Sequence, residues 1–338
     1  MRMKWGKAGL AAAIALLAVG SAVANDSSAE LAAGGLVLRR TANIEMRSED
    51  LFISPSQVKV TYRFINTSAA DISTVVAFPL PDIEVVDQDT AISIPTEDPD
   101  NFLQFRTSVD GRPVTMQLEQ KAVKNGVDRT AYLRGLGIPL NPLAEATRPR
   151  LDALPAATRA ALVRMGLAQI EEYDAGRGWE RHLAPTWTLK STYYWTQVFP
   201  AGREITVTHQ YQPSVGMSAG TSLGSAWFRT DPQFAEYKRR YCLDADFMRT
   251  VDQNAARNEG YAQLFESRIE YVLTTGANWA KPIGRFHLVI DKGDPNAIVS
   301  FCATGVRKIS PTRFEVNYTN FTPRRDISIL ILGAPPAQ

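Results

Sequence analysis

Three histidines and two cysteines are the side chains in this sequence most readily put to chemical use. His182, His209 and His287 stand far apart, and no H-E-x-x-H or C-x-x-C spacing gathers them into a zinc site. No nucleophile is set up either: the G-x-S-x-G spacing occurs in the Gly216–Gly224 run and S-x-x-K at Ser56–Lys59, but neither sits in a pattern that marks a nucleophile. The run Gly220-Thr221-Ser222-Leu223-Gly224 has the outer glycines of an elbow, but no strand-then-helix pattern frames Ser222, and it reads as a loop. The glycine patterns that cradle dinucleotides and phosphates are absent. Two acidic groups, Asp82/Glu84/Asp87/Asp89 and Glu97/Asp98/Asp100, lie in Pro-containing segments where carboxylates could hold calcium. Neither matches the twelve-residue calcium loop, and a solvated face is the plainer reading.

Aromatic side chains carry the best binding signal. Trp179, Trp187, Tyr193, Tyr194, Trp195, Tyr211, Trp227 and Trp279 crowd the second half. Trp and Tyr offer broad flat contact with one polar handle, suited to glycans or partner proteins. The candidate binding residues are Trp187, Trp195, His209, Tyr211 and Trp227. The competing reading is that alternate members such as Trp187 and Trp195 fill a core. Asn66, Asn317 and Asn320 sit in N-x-S/T patterns and are expected to serve turns and strand ends rather than glycans.

The N-terminus says where such a surface would work. Arg2, Lys4 and Lys7 precede an apolar stretch, Ala8 to Gly20, and Ala22-Val23-Ala24 supplies a cleavable small-residue site. This is the pattern of a secretory signal peptide over residues 1–24, with cleavage after Ala24 and a periplasmic or secreted destination. Its apolar core is short for a membrane span, and no later run is long enough for one. Loss of the leader leaves 34 of the 37 Lys and Arg against 35 Asp and Glu, a formal charge of −1. That balance gives no bulk attraction to nucleic acid or an anionic membrane. In an oxidising compartment Cys242 and Cys302 are expected to form a structural disulfide, the alternatives being buried free thiols or a reactive pair.

The elements that must position these residues are mostly strands. Val58, Val60, Tyr62 and Phe64 alternate with Lys59, Thr61 and Arg63, and Ile205, Val207, His209 and Tyr211 alternate likewise to Pro213. Asn66-Thr67-Ser68 and Pro200-Ala201-Gly202 supply turns, and Pro79 and Pro81 end pairing or mark an edge. From Gln117 onward Ala, Leu and Arg become frequent, so residues 118–175 read as a helical insertion, beginning with a helix over 118–133. Asp231-Pro232 opens a second helical segment over 231–260, with Asp244 or Asp246 as a further cap. Strands return from Ile269 to Leu332. The expected fold is mainly β: antiparallel β-sandwiches with a helical insertion. The expected regions are an N-terminal sandwich (25–117 with 180–216), the insertion (118–179) and a C-terminal β-rich part (217–338).

The segments "ELAAGGLVL", "VTYRFINTSAADISTVVAFPLPDI", "YYWTQVFPAGREITVTHQYQPSVG" and "IEYVLTTGANWAKPIGRFHLVIDKG" resemble an exported proteobacterial family known as domain of unknown function 4424. The likeness runs from about Ala29 to Leu332 and brings no catalytic residues with it. A strand ending in Phe-x-Asn, followed by one ending in Phe-Pro-Leu-Pro, also looks like the start of vault/inter-alpha-trypsin-type sandwiches, with the insertion replacing the later part of that pattern. The functional expectation is a non-catalytic envelope protein that binds a partner protein or polysaccharide, with no cofactor, metal or nucleic acid. The alternatives are an envelope hydrolase using two carboxylates, and a carrier of a small apolar ligand covered by the insertion.

Overall fold

The computed structural model describes residues 26–334 except 33–34, 86–90, 175 and 177. The expected leader therefore lies outside the described residues, as do Asp87 and Asp89. The chain is mainly strand, in three sheets and a separate hairpin. The first sheet runs Val127–Asp128, Gln117–Lys124, Thr188–Phe199, Ile72–Pro79, Ser27–Ala32, Gly35–Arg39, with Ile83–Glu84 also paired to Thr188–Phe199. The second runs Arg307–Lys308, Arg313–Phe321, Ile283–Asp291, Ile44–Ser54, Gln57–Asn66, Glu204–Tyr211, Arg106–Val109, Arg112–Pro113. The third is built from Ile298–Phe301, Ile327–Gly333, Phe265–Tyr271, Val215–Ser218 and Ala91–Ser93.

Pairing within these sheets is antiparallel except where Ile283–Asp291 lies parallel to Ile44–Ser54. That contact joins the C-terminal part of the chain to the N-terminal part in one sheet. It also explains a glycine: a Cβ on Gly284 would stand 2.6 Å from the Arg47 carbonyl oxygen, at the bulge between Met46 and Ser48. Inward-facing residues of the three sheets merge into one core, including Tyr62, Phe64, Phe78, Trp195, Phe199, Ile269 and Ile329. A smaller core lies under the helices Pro232–Tyr241 and Ala245–Arg257, against Leu330 and Leu332 of the third sheet. Asp231 and Asp244 cap these helices through the amides of Gln233 and Phe247.

The helical insertion is shorter than the composition suggests. Its helices are Thr130–Gly135, Thr147–Asp152 and Ala156–Arg164. Gln117–Lys124, expected to begin a helix, is a strand paired along Thr188–Tyr194. Gln, Glu and Lys favour helix in isolation, but a full ladder to a neighbouring strand outweighs propensities of a few tenths of a kcal/mol per residue. Ala168–Asp174, expected as helix, pairs with Trp179–Pro185 in the separate hairpin. This hairpin is docked on the Thr147–Asp152 helix through charge. Asp152 accepts from His182 Nδ1 at 2.8 Å and from the Leu183 amide, while Arg148 pairs with Glu171.

Cys242 and Cys302 form the expected disulfide, tying the left-handed residue that ends the Pro232–Tyr241 helix to the residue after the Ile298–Phe301 strand. It closes a separation of 60 residues. Replacing both cysteines by Ser should destabilise the protein by up to about 4 kcal/mol on the chain-entropy account. Calorimetry of the double variant beside the oxidised protein checks this, and an unchanged midpoint would contradict it.

Docking of the hairpin should also depend on pH. Hydrogen bonds that His182 donates to Asp152 and then Glu180 raise its pKa above its ordinary value of 6.5. A raised histidine pKa means that the contribution is complete below the unfolded value and is lost as pH rises through the folded one. Asp152→Asn should bring the imidazole titration, followed by NMR, back toward the ordinary value; a titration unmoved by the change would refute the assignment.

Candidate functional site

The strands Glu204–Tyr211 and Thr188–Phe199 turn alternate side chains into the space between the first and second sheets. From the former come Ile205, Val207, His209 and Tyr211; from the latter, Leu189, Tyr193, Trp195 and Phe199. His209 is completely buried. Its Nε2 lies 2.9 Å from Oδ1 of Asp26, also completely buried, and its Nδ1 lies 2.8 Å from Oγ1 of Thr107. The Thr107 hydroxyl lies 2.9 Å from the Met116 sulfur as donor. A hydroxyl has one hydrogen, so when Met116 takes it, Thr107 accepts from Nδ1–H of the imidazole.

Rings surround this chain. Centroids of Phe78, Phe105, Trp195 and Tyr62 lie 4.9, 5.2, 5.4 and 5.7 Å from that of His209. Burial raises the Asp26 carboxyl pKa, and the charge of His209 opposes the rise. Its second oxygen, Oδ2, has no hydrogen-bond partner. A further polar contact lies in the same core, where the Tyr62 and Tyr271 hydroxyls meet at 3.0 Å. Burial pushes both of these phenols well above the usual range.

The inter-sheet space opens to solvent at one mouth. There a cleft of about 330 Å³ is lined by Asp100, Asn101, Met116, Leu118 and Tyr193. Leu118 and Tyr193 are cross-strand partners in the first sheet. Met116 forms both a wall of the cleft and the far end of the Thr107–His209–Asp26 chain. Asn101 pins the rim: its Oδ1 accepts from the Tyr193 hydroxyl at 2.8 Å and the Phe105 amide at 2.7 Å. Tyr193 stacks on Phe105 at 4.5 Å with 9° between planes, and Phe105 stacks on His209. Burial, then the charges of Asp98 and Asp100, raise the Tyr193 pKa. The cleft wall is therefore half apolar and half acidic or amide.

Of the candidate binding residues, Trp187, Trp195, His209 and Tyr211 are buried and meet no solvent-borne ligand in this conformation. The Trp187 indole donates to the Leu140 carbonyl at 2.7 Å, fastening the insertion to the first sheet. Trp227 is 61% exposed on the short Ala226–Thr230 helix, far in sequence from the cleft. Ser222 lies in a single 3-10 turn, and His287 on the second sheet sits between Asp50 and Glu315. Asn66 is buried and bonds Ala70 and Phe199 at the strand turn. Asp82 pairs with Lys190, and Asp98 accepts from the amides of Asp100 and Asn101. Among the described residues, no group of three or more His, Cys, Asp or Glu is placed to hold a metal ion.

Sequence reading missed Asp26, Thr107, Asn101, Met116 and Leu118. Thr107 precedes Val109 in an alternating run that gives its facing, but nothing in the sequence announces Asp26.

No curated protein matches the chain. Among solved structures, it is similar to a Legionella pneumophila protein described as a candidate nutrient-binding protein, with a TM-score of 0.42 and 13% identity over 92% of this chain and 70% of that one. It is also similar to a two-domain M1 zinc metallopeptidase, with a TM-score of 0.23 and 7% identity over 87% of this chain and 44% of that one. A family model matches residues 24–330, nearly the whole described fold, and the chain belongs to that family, DUF4424, a domain of unknown function.

Proposed function

We propose that the protein is an exported, non-catalytic binding protein that holds part of an envelope partner or polymer in the mouth between its first two sheets. One observation carries the reading: the carboxyl–imidazole–hydroxyl row of Asp26, His209 and Thr107 is engaged internally behind Met116, while the cleft surface offers recognition contacts. An acid–base catalyst must reach the proton it transfers, and Asp26 and His209 have no exposed surface. Asp100 and Asn101 at the rim, with Met116, Leu118 and Tyr193 beneath, suit an amphipathic group that is neutral or cationic. The volume is at the lower end for small-ligand sites, enough for a terminal sugar or a partner's side chain. Export is supported by the leader-like residues 1–24 and the disulfide. No helix of the described residues is long and apolar enough to cross a membrane.

A second surface favours a protein partner. Trp179, 78% exposed, lies at the end of a hairpin that also exposes Tyr173 and Ile170. Leu118→Trp fills the cleft, and Trp179→Ala strips the hairpin; both sites are at least partly solvent-exposed, so the fold should survive. Native mass spectrometry of protein recovered from envelope extract, followed by titration with the captured species, separates the two. On the proposal Leu118→Trp weakens binding about tenfold or more at unchanged thermal midpoint, and Trp179→Ala does not. Loss only with Trp179→Ala would move the site to the hairpin, and undiminished capture by both would end the cleft reading.

A further inference from the structure

The polar chain beneath the cleft ends on Asp26, the first of the described residues. Asp26 is held by His209 through its side chain, and its carbonyl accepts from the Trp279 indole at 2.8 Å. Next to it, the Ser27 hydroxyl accepts from the Asn278 amide side chain at 3.0 Å, and the Ser28 and Thr74 hydroxyls meet at 3.0 Å. Ser27, Ser28 and Ala29 pair with Ala77, Val76 and Val75 of the first sheet. All of Asp26 to Ala29 is buried. The expected leader cleavage site, after Ala24, is two residues away.

These two facts conflict in the uncleaved chain. A leader peptidase takes its substrate extended on both sides of the bond it cuts, and Asp26 is the second residue past that bond. Each residue spans at most about 3.5 Å of chain, so Asn25 gives no room for Asp26 to stay in the core while Ala24 lies in a peptidase. We propose that Asp26 is a maturation latch: the leader is removed first, and only then does Asp26 enter the inter-sheet layer and pair with His209. The covalent step is hydrolysis of the Ala24–Asn25 peptide bond, water giving its hydroxyl to the Ala24 carbonyl carbon and a hydrogen to the Asn25 nitrogen. The latch rests on the export reading above.

The remaining body can assemble with the latch open. The Ser27–Ala32 strand joins Ile72–Pro79 through only three residues, and Ile72–Pro79 is paired on its other side by Thr188–Phe199. What the open state lacks is a partner for His209 Nε2 and for the Trp279 indole, two buried polar groups whose orphaning destabilises the core. Because His209 also holds Thr107, and Thr107 holds Met116, closing the latch sets the floor of the cleft.

The test compares the full precursor carrying Ala24→Phe, which blocks cleavage, with the mature chain beginning at Asn25, in the same mild detergent. Intact mass of wild-type protein recovered from cells first reports whether the chain is cut after Ala24. The mature protein should melt about 5 °C or more above the precursor. Mature Asp26→Ala and a chain beginning at Ser27 should fall to the precursor's midpoint, whereas Asp26→Asn, whose side-chain amide can still hydrogen-bond His209 Nε2, should stay near wild type. A wild-type mass showing no cut overturns the export reading and the latch together. A cut chain whose midpoint equals that of the precursor, or that loses Asn25 and Asp26 without a fall, overturns the latch alone.

Discussion

A carboxylate that water cannot reach governs the layer between the first two sheets. An ionisable group in such a place must be bonded or neutralised, because its desolvation costs several kcal/mol. Asp26 meets this with one oxygen on His209 and a raised pKa. The constraint propagates outward. It fixes the register of the first strand, since slipping Ser27 against Ala77 by one residue would turn the carboxylate to the other face. It also fixes the imidazole, so that Phe78, Phe105, Trp195 and Tyr62 pack against a ring held at both nitrogens rather than one free to turn.

The sequence made some of this legible. The period of two through Ile205, Val207, His209 and Tyr211 showed which way His209 points, because a strand with one dry face leaves no other choice. Asp231-Pro232 marked a helix start, and two cysteines behind a leader-like N-terminal pattern marked the disulfide. Other elements could not be read. Ser27–Ala32, S-S-A-E-L-A, has no alternation; its burial follows from entering the core at one end and leaving it at the other. Gln117–Lys124 has helical composition and becomes a strand through partners more than sixty residues away. Asp26 and His209 are separated by 183 positions, and no local pattern reports a contact that only folding creates. Asn101 likewise looks like a turn residue until Tyr193 and Phe105 are seen to converge on it.

Hydroxyl, imidazole and carboxylate in a row form the connectivity of a hydrolase triad, so the difference matters. In a triad the hydroxyl faces a substrate and donors await the oxyanion. Here Thr107 is 5% exposed and its hydroxyl faces the sulfur of Met116. The rings that would have to part for a substrate to arrive are the same ones that fill the core. Such a row is then a means of placing a polar side chain in an apolar layer, each member satisfying the next.

The cleft follows from the same packing. Tyr193 belongs to the first sheet, His209 to the second, and Phe105 is stacked between them. Three rings in a row make a strut of fixed thickness, because interiors are close-packed and rings do not compress. Sheets held apart by such a strut cannot close at their mouth, and the gap beyond Tyr193 is left for Leu118, Met116 and the Asn101 rim to line. The cleft is thus joined to Asp26 twice, through the rings and through the Met116–Thr107–His209 contacts. Its shape is a property of the core, set by the same buried pair that fixes the Ser27–Ala32 strand.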